Sequence, residues 1–277
     1  MGIRIVSDSS SDCYEVPGFD YTTVPLKVMF GGHEYVDDGN ADCERMMLDL
    51  QSHRGPSTTS CPNVQEWLDA FEGHDEIFGI TISSGLSGSY ETAVVAAQQH
   101  MQANPDAKVF IVDSLATGPV ARLIIDELCR QIAAGKEYDE VKAEIIQYQK
   151  RVRILYSLES LNNLARNGRV NAHVARIATA LNIRIIGHAS EEGTVELINK
   201  CRGERKALKA MVAEMGRQGF CSGKVHIDHC LNIASATKMK DLVEEAFPLS
   251  TVEIHPCGAL CSYYADIGGL IVGYEVD

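Results

Sequence analysis

The sequence predicts an α/β protein in which an N-terminal parallel-sheet α/β domain is followed by a C-terminal α+β domain. In the first half of the 277 residues, short β-rich runs alternate with helical patterns, which is typical of βαβ units that share a parallel sheet. The second half mixes strands and helices at hairpin-like spacing. We therefore place the two domains at residues 1–152 and 153–277. Each of these ranges is long enough to form a hydrophobic core of ordinary size.

Apolar runs mark the clearest strands of the first half, at residues 3–6, 77–82 and 109–112. Each run ends in a small polar cluster that leads into a helix, and ligands of open parallel sheets bind at that end of the strands. A further helix is predicted to begin near Asn63, which can cap it while Pro62 occupies the first turn. The remaining helical patterns of this half lie at residues 119–134 and 138–150.

The second half is predicted to begin with a helix over residues 158–167 that stops at Gly168, a residue suited to a helix C-terminus. The other helical patterns lie at residues 172–181, 204–218 and 236–247. Strand patterns lie at residues 183–186, 195–199, 225–227, 252–254 and 270–274. This mixture of short elements is the basis of the α+β assignment.

The composition excludes several classes of partner. Lys and Arg number 25 against 38 Asp and Glu, so the net charge is −13, which argues against nucleic-acid binding and against docking on anionic lipid. No run approaches the roughly 18 apolar residues of a membrane-spanning helix, and the N-terminal segment turns polar too early for a secretory signal. We therefore expect a cytoplasmic protein without stable membrane insertion. The nine scattered cysteines are expected to be reduced and mostly buried.

The segment from Ser83 to Tyr90 is the most informative motif. After a buried strand, Gly85 and Gly88 let the chain turn tightly into a helix, and the unpaired N–H groups of a helix N-terminus bind anions. Serine hydroxyls within the turn add neutral hydrogen-bond donors. The same features also suit an ordinary strand-to-helix turn whose serines cap the helix, and the segment alone does not decide between the two interpretations.

Other catalytic or metal-binding patterns are weak. The turn around Ser87 lacks the second glycine of a nucleophile elbow, since Ser89 stands there, which disfavours a serine hydrolase. On a strand, His226 and Asp228 share a face while His229 points the other way, so a compact metal site would need ligands from elsewhere in the chain. No Walker A pattern or Gly-rich dinucleotide fingerprint occurs. We therefore expect no metal and no cofactor.

Two functional hypotheses remain from the residues themselves. One is a binding protein that holds an anionic group with loop hydroxyls. The alternative is an enzyme that acts on a small anionic substrate, a phosphate ester or an acyl group, through the same serine-rich loops.

Several short motifs taken together favour the binding protein by resemblance. In chain order they are Ser7-Asp8-Ser9, Val24-Pro25-Leu26, Tyr35-Val36-Asp37, Thr59-Ser60-Cys61-Pro62, Ser83 to Tyr90, Asp113-Ser114, Gly168-Arg169-Val170 and Asn199 to Arg202. Their order and spacing over nearly the whole chain resemble the DegV family of bacterial fatty-acid-binding proteins. The resemblance implies a non-enzymatic, two-domain protein, expected to be a monomer, that encloses one long-chain fatty acid between its domains. It also implies a separate fatty acid kinase, which converts the presented carboxylate to an acyl phosphate for phospholipid synthesis.

The resemblance also assigns site residues. By motif position, Thr59 and Ser87 contact the fatty acid carboxylate, with support from Ser60 and from backbone near Gly88. Two arginines, Arg169 and Arg202, match positions that the family links to contact with the kinase. Each arginine also has an ordinary interpretation, at a helix terminus or in a surface ion pair.

The chain departs from the family pattern in three places. Cys61 stands where the family has glutamine, and Ser89 stands where it has threonine. Near the C-terminus, many members carry a histidine that helps to bind the carboxylate, whereas this chain aligns Tyr264 there. A phenol can replace an imidazole as a hydrogen-bond donor, so we expect Tyr264 to take part in the site. His255 lies nine residues too early to be that histidine.

Overall fold

The computed structural model of the protein describes residues 2–170 and 182–276, so the helix predicted at 172–181 lies outside the described residues. Its strands are β1 (Arg4–Asp8), β2 (Asp20–Val24), β3 (Lys27–Phe30), β4 (His33–Val36), β5 (Ser57–Ser60), β6 (Glu76–Thr81), β7 (Lys108–Asp113), β8 (Val152–Leu158), β9 (Ile183–Ala189), β10 (Val195–Arg202), β11 (Gly223–His229), β12 (Ser250–Pro256) and β13 (Leu270–Glu275). Its helices are α1 (Cys43–Ser52), α2 (Val64–Phe71), α3 (Ser89–Ala103), α4 (Pro119–Ala133), α5 (Tyr138–Tyr148), α6 (Asn162–Arg166), α7 (Glu204–Arg217), α8 (Ile233–Ala246) and α9 (Ala259–Ala265). A short 3-10 helix covers Ser9–Ser11.

A four-stranded parallel sheet forms the centre of the first half, in the order β2-β1-β6-β7. The predicted strands β1, β6 and β7 lie side by side in it, which confirms the parallel-sheet prediction. Nearly every residue of β6 is buried, because a central parallel strand is covered by helices on both faces. Helices α2 and α3 pack against each other and against β2 and β7. Strand β2 was not predicted.

A small antiparallel sheet, in the order β4-β3-β5, lies beside the parallel one. Helix α9, from the end of the chain, packs against its central strand β3. This sheet, α1 and α9 were not predicted from the sequence. Each of its strands has only four residues, too few to establish an alternating pattern.

A six-stranded mixed sheet organises the second half, in the order β10-β9-β8-β13-β11-β12. Its neighbours pair antiparallel except for β11 and β12, which are parallel. Helices α7 and α8 cover strands of one face. This arrangement confirms the predicted α+β character of the second half.

One predicted helix boundary is wrong. The helix predicted over residues 158–167 would begin at Leu158, but Leu158 is the last residue of strand β8, and the helix, α6, spans only Asn162–Arg166. All but one residue of β8 are buried, but Arg153 and Ser157 interrupt its apolar residues, so the sequence shows neither a continuous apolar run nor a strict alternation there. Gly168, with φ of +73°, follows α6 as predicted.

Helix α4 joins the two halves. It packs against β6 of the parallel sheet and against β8, β11 and β13 of the mixed sheet. Ten of its fifteen residues are buried, as expected for a helix with a sheet on each side. None of the helices in the described residues is long and apolar enough to cross a membrane.

Candidate functional site

A cavity lies between the two halves of the protein. Its walls include Ile82 and Leu86 after β6, Ile154 and Leu158 of β8, Leu260 of α9 and Ile271 of β13. The polar lining consists of Thr59, Ser87, Thr117, Tyr156, Arg169 and Tyr264. The cavity is therefore mostly apolar, with hydroxyl groups and one guanidinium at its wall.

Thr59 and Tyr264 meet at this wall. Thr59 is held on β5 by its pairing with Val28 of β3, and Tyr264 lies in the last turn of α9. Their hydroxyl oxygens share a hydrogen bond of 2.8 Å. Burial raises the pKa of Tyr264 above its ordinary value, although the hydrogen bond to Thr59 and the nearby Arg169 charge oppose the rise. The phenol is therefore protonated near pH 7 and can donate a hydrogen bond to a bound anion.

Ser87 contributes to the cavity from the loop between β6 and α3. Its hydroxyl accepts a hydrogen bond of 3.3 Å from the backbone N–H of Ser89. Gly88 occupies the N-cap position of α3 and is exposed. The Ser87 side chain thus accepts a hydrogen bond from the first N–H of α3 and also lines the cavity.

Asp8 holds this loop in place through hydrogen bonds to Ile82 and Ser89, a role that was not predicted from the sequence. The buried Asp8 carboxylate accepts hydrogen bonds from the Ser10 hydroxyl at 2.5 Å, the Ser89 hydroxyl at 2.6 Å and the Ile82 N–H at 2.9 Å. Burial raises its pKa to about 6, despite these donors. Asp8 therefore fixes the end of β1 to both ends of the loop that carries Ser87. The Ser7-Asp8-Ser9 motif was the available signal, but nothing in it indicates which groups the carboxylate meets.

The second half of the chain closes over the same loop. The Ser83 hydroxyl donates to the carbonyl oxygen of Gly193, in the turn between β9 and β10, at 2.8 Å. Arg169 Nε donates to the carbonyl oxygen of Leu86 at 2.9 Å. These contacts bring a guanidinium to the cavity wall and fix the turn against the serine-rich loop.

The remaining predicted residues lie apart from the lining. Ser60 follows Thr59 on β5, so its side chain points to the opposite face of the strand. Arg202 is exposed at the end of β10. Of the predicted set, the cavity thus brings together Thr59, Ser87, Tyr264 and Arg169, whereas Ser60, Gly88 and Arg202 are not among its lining residues.

The fold and the cavity define a class of two-part α/β protein that encloses a mostly apolar space with hydroxyl groups at its wall. The protein belongs to the DegV family, since the family model described as "Uncharacterised protein, DegV family" matches residues 2–276. A "DegV domain-containing protein" of Streptococcus gordonii is 34% identical over 280 residues, which cover 100% of both chains. One of Streptococcus pneumoniae serotype 4 is 34% identical over 281 residues, again 100% of both.

Solved structures of relatives have the same fold. A DegV family protein from Eubacterium eligens, loaded with heptadecanoic acid, is 41% identical, with a TM-score of 0.97 and 100% of both chains covered. The Fatty Acid Kinase (Fak) B3 protein of Streptococcus pneumoniae, loaded with linoleic acid, is 33% identical, with a TM-score of 0.97 and 100% of both chains covered. These matches confirm the family assignment and the predicted fold class.

Proposed function

We propose that this protein is a carrier that encloses one long-chain fatty acid in the cavity between its two halves. In this proposal it presents the carboxylate to a separate fatty acid kinase and performs no chemistry itself, with the fatty acid as ligand and no cofactor. The observation that carries the proposal is a mostly apolar cavity with hydroxyl groups at its wall. The fatty acids named for the two relatives above are consistent with it.

The apolar walls supply the affinity. An acyl chain of about fifteen methylenes gains about 12 kcal/mol on burial, at about 0.8 kcal/mol for each methylene, before the costs of association. Side chains such as Ile154, Leu158 and Ile271 offer the surface for that burial. They also argue against the alternative of an enzyme for a small anionic substrate, because a small polar ligand makes no use of them.

The hydroxyl groups hold the head group. A buried carboxylate without partners is costly, and Thr59, Ser87 and the protonated Tyr264 can donate to it. The guanidinium of Arg169 at the same wall offers an opposite charge. Ser60 and the Gly88 backbone have a supporting role in this proposed site. They do not line the cavity, but they are adjacent in the chain to Thr59 and Ser87.

In this proposal the kinase contacts the exposed surface that carries Arg202. Arg202 is exposed on β10, which suits a contact with a partner protein, and Arg169 lies between the cavity and the loop of Leu86. We also propose that the halves are domains whose boundary lies at residue 152, where β8 begins, since β8 and every later strand of the described residues belong to the mixed sheet.

Mass spectrometry of the purified protein tests the carrier proposal. The native spectrum, followed by extraction into organic solvent, is expected to give one long-chain fatty acid for each chain. The double variant Thr59→Ala with Ser87→Ala is expected to retain less fatty acid than the unaltered protein. Its matched control is Thr58→Ala with Ser84→Ala, which changes the preceding residue on β5 and another serine of the same loop, and neither is a lining residue. Equal retention by the two double variants would remove Thr59 and Ser87 from the site, and protein that neither carries nor takes up fatty acid would overturn the carrier proposal.

The kinase step needs a separate assay. Protein loaded with a defined fatty acid, mixed with ATP and a bacterial fatty acid kinase, is expected to yield acyl phosphate, and the protein alone is not. Arg202→Ala is expected to slow product formation at an unchanged fatty acid load. Product formation by the protein without any kinase would contradict the non-enzymatic role.

A further inference from the structure

A second cluster of chemically active side chains lies on β11 and β12, at one edge of the mixed sheet, and none of its members lines the cavity. His226 of β11 lies opposite Glu253 of β12 in the parallel register. His255 follows Glu253 by two residues, so it projects from the same face. The neighbouring strand therefore provides the distant ligands that His226 lacks in its own segment.

The three side chains have the separations of a metal site. His226 Nδ1 lies 3.2 Å from His255 Nε2 and 3.8 Å from Glu253 Oε2, and His255 Nε2 lies 3.6 Å from Glu253 Oε2. A triangle with these sides has a circumradius of about 2.1 Å. Bonds from zinc to histidine nitrogen or to carboxylate oxygen are about 2.0–2.2 Å long. An ion at the centre of the triangle would thus contact all three atoms at bonding distance without any movement of the backbone.

A fourth residue orients the buried ligand. His226 Nε2 lies 2.8 Å from Asp126 Oδ2 of α4, and with the proton on Nε2 the lone pair of Nδ1 faces His255 and Glu253. Metal-bound histidines usually donate their other N–H to a carboxylate in this way. Asp126 also pairs with Lys224 Nζ at 2.7 Å, so its carboxylate offsets the charge of that lysine as well, while the Arg122 charge also acts on His255.

Solvent reaches the cluster from one side. The His226 side chain is 1% exposed, whereas those of His255 and Glu253 are 25% and 46% exposed. Two imidazoles and one carboxylate suit divalent transition metals rather than Ca²⁺ or Mg²⁺, which prefer oxygen ligands. Three protein ligands also leave a coordination position open to water.

We propose that His226, Glu253 and His255 form a binding site for one divalent transition-metal ion, with Zn²⁺ as its representative, and that water completes the coordination. Asp126 is a positioning residue that holds the His226 ring. A bound ion replaces the hydrogen bond between the two rings, and the proton between them moves to the other nitrogen of His255. The site lies outside the fatty acid cavity, so it stands independently of the proposed carrier role.

Calorimetric titration of chelator-treated, full-length protein with ZnCl₂ tests the proposal. We expect one ion for each chain, and affinity lower by about tenfold or more in His255→Gln and in Glu253→Gln. Both changes are at partly exposed side chains, and thermal melts would verify that the variants fold. The matched control is His188→Gln with Glu196→Gln, another histidine and glutamate pair on adjacent strands, with side chains 34% and 55% exposed. This control is expected to bind Zn²⁺ as the unaltered protein does.

Spectroscopy with Co²⁺ separates this site from the thiols of the chain. Ligation by nitrogen and oxygen gives visible d–d bands without the intense near-ultraviolet absorption of a thiolate bound to cobalt. Asp126→Asn is expected to weaken affinity by about 10–100-fold with unchanged stoichiometry. A stoichiometric thiolate band, unaltered Zn²⁺ affinity in the His255 and Glu253 variants, or an equal loss in the His188 and Glu196 control would each overturn the proposal.

Discussion

The hydroxyl groups of Thr59 and Tyr264 lie 2.8 Å apart although 205 residues separate them in the sequence. The pair joins strand β5, near the N-terminus, to helix α9, near the C-terminus. A polar end of the cavity therefore exists only when both ends of the chain are folded against each other. Tyr264 supplies the phenol at the place where the family resemblance leads one to expect a histidine.

Tyr264→Phe is predicted to weaken fatty acid binding and to lower the free energy of unfolding by about 1 kcal/mol, since it also removes the hydrogen bond to Thr59. The change removes one donor to the proposed carboxylate, and a hydrogen bond to a charged group contributes about 1.5–3 kcal/mol. Affinity for a long-chain fatty acid is therefore expected to fall by about tenfold or more, measured by titration of delipidated protein.

Tyr263→Phe is the matched control for that variant. The Tyr263 hydroxyl lies 2.7 Å from the Ser57 hydroxyl and accepts a hydrogen bond from Asn167 Nδ2 at 2.8 Å. Removing it is expected to lower the melting temperature and to leave affinity unchanged. The same loss of affinity in both variants would argue for a general loosening of α9 rather than for a head-group contact.

The sequence was informative where a pattern is local. The buried strand β6 and the loop that carries Ser87 follow from an apolar run and two glycines, and both were predicted. Tyr264 could be proposed only through the family resemblance, because its helix α9 and the sheet of Thr59 are too short for periodicity to identify. Asp8 could not be assigned its role, since its partners Ile82 and Ser89 lie 74 and 81 residues away. Long-range polar contacts of this kind leave no periodic signal.

Arg169 and Arg202 are predicted to differ in their effects on fatty acid binding. Arg169 lines the cavity, whereas Arg202 is exposed and outside the lining. Arg169→Gln removes a charge opposite the proposed carboxylate, so affinity is expected to fall by about tenfold or more. Arg202→Gln is expected to leave affinity unchanged. Equal affinities for the two variants would indicate that Arg169 serves only the loop of Leu86 or a partner protein.

Gly85→Ala is predicted to destabilise the protein more than Gly88→Ala. A Cβ at Gly85 would lie 2.6 Å from the carbonyl oxygen of Glu192, a backbone atom of the turn between β9 and β10. This overpacking is expected to cost about 1–3 kcal/mol. A Cβ at Gly88 meets only Cys61 Sγ at 3.6 Å, and alanine in place of an N-cap glycine costs about 0.5 kcal/mol.

Urea denaturation of both glycine variants measures this difference. Gly85→Ala is expected to lose more free energy of unfolding, because the clash of its Cβ with the carbonyl oxygen of Glu192 lies between the two halves of the protein. If the two variants were equally stable, the turn between β9 and β10 would not be held against the serine-rich loop.

The last prediction concerns the pH dependence contributed by Asp8. Burial raises the pKa of Asp8 from an ordinary value of 3.8 to about 6 in the folded protein. Between these two values the folded state binds the proton more tightly than the unfolded state. The contribution of Asp8 to the free energy of unfolding is therefore greatest at low pH and falls as the pH rises from about 4 to about 6. For one proton the slope is at most about 1.4 kcal/mol per pH unit.

Asp8→Asn isolates this contribution, because the amide does not titrate. Urea denaturation of both proteins at a series of pH values from about 4 to about 8 gives two stability curves. All other groups titrate in both proteins. The difference between the two curves therefore measures how the contribution of Asp8 to the free energy of unfolding changes with pH. We expect the variant to be less stable throughout, since the amide NH₂ meets donors such as the Ser89 hydroxyl. We also expect the difference in the free energy of unfolding between the two proteins to decrease as the pH rises to about 6 and then to stay constant. A constant difference over the whole range would mean that the Asp8 carboxylate keeps its ordinary pKa and is stabilised fully by Ser10, Ser89 and Ile82.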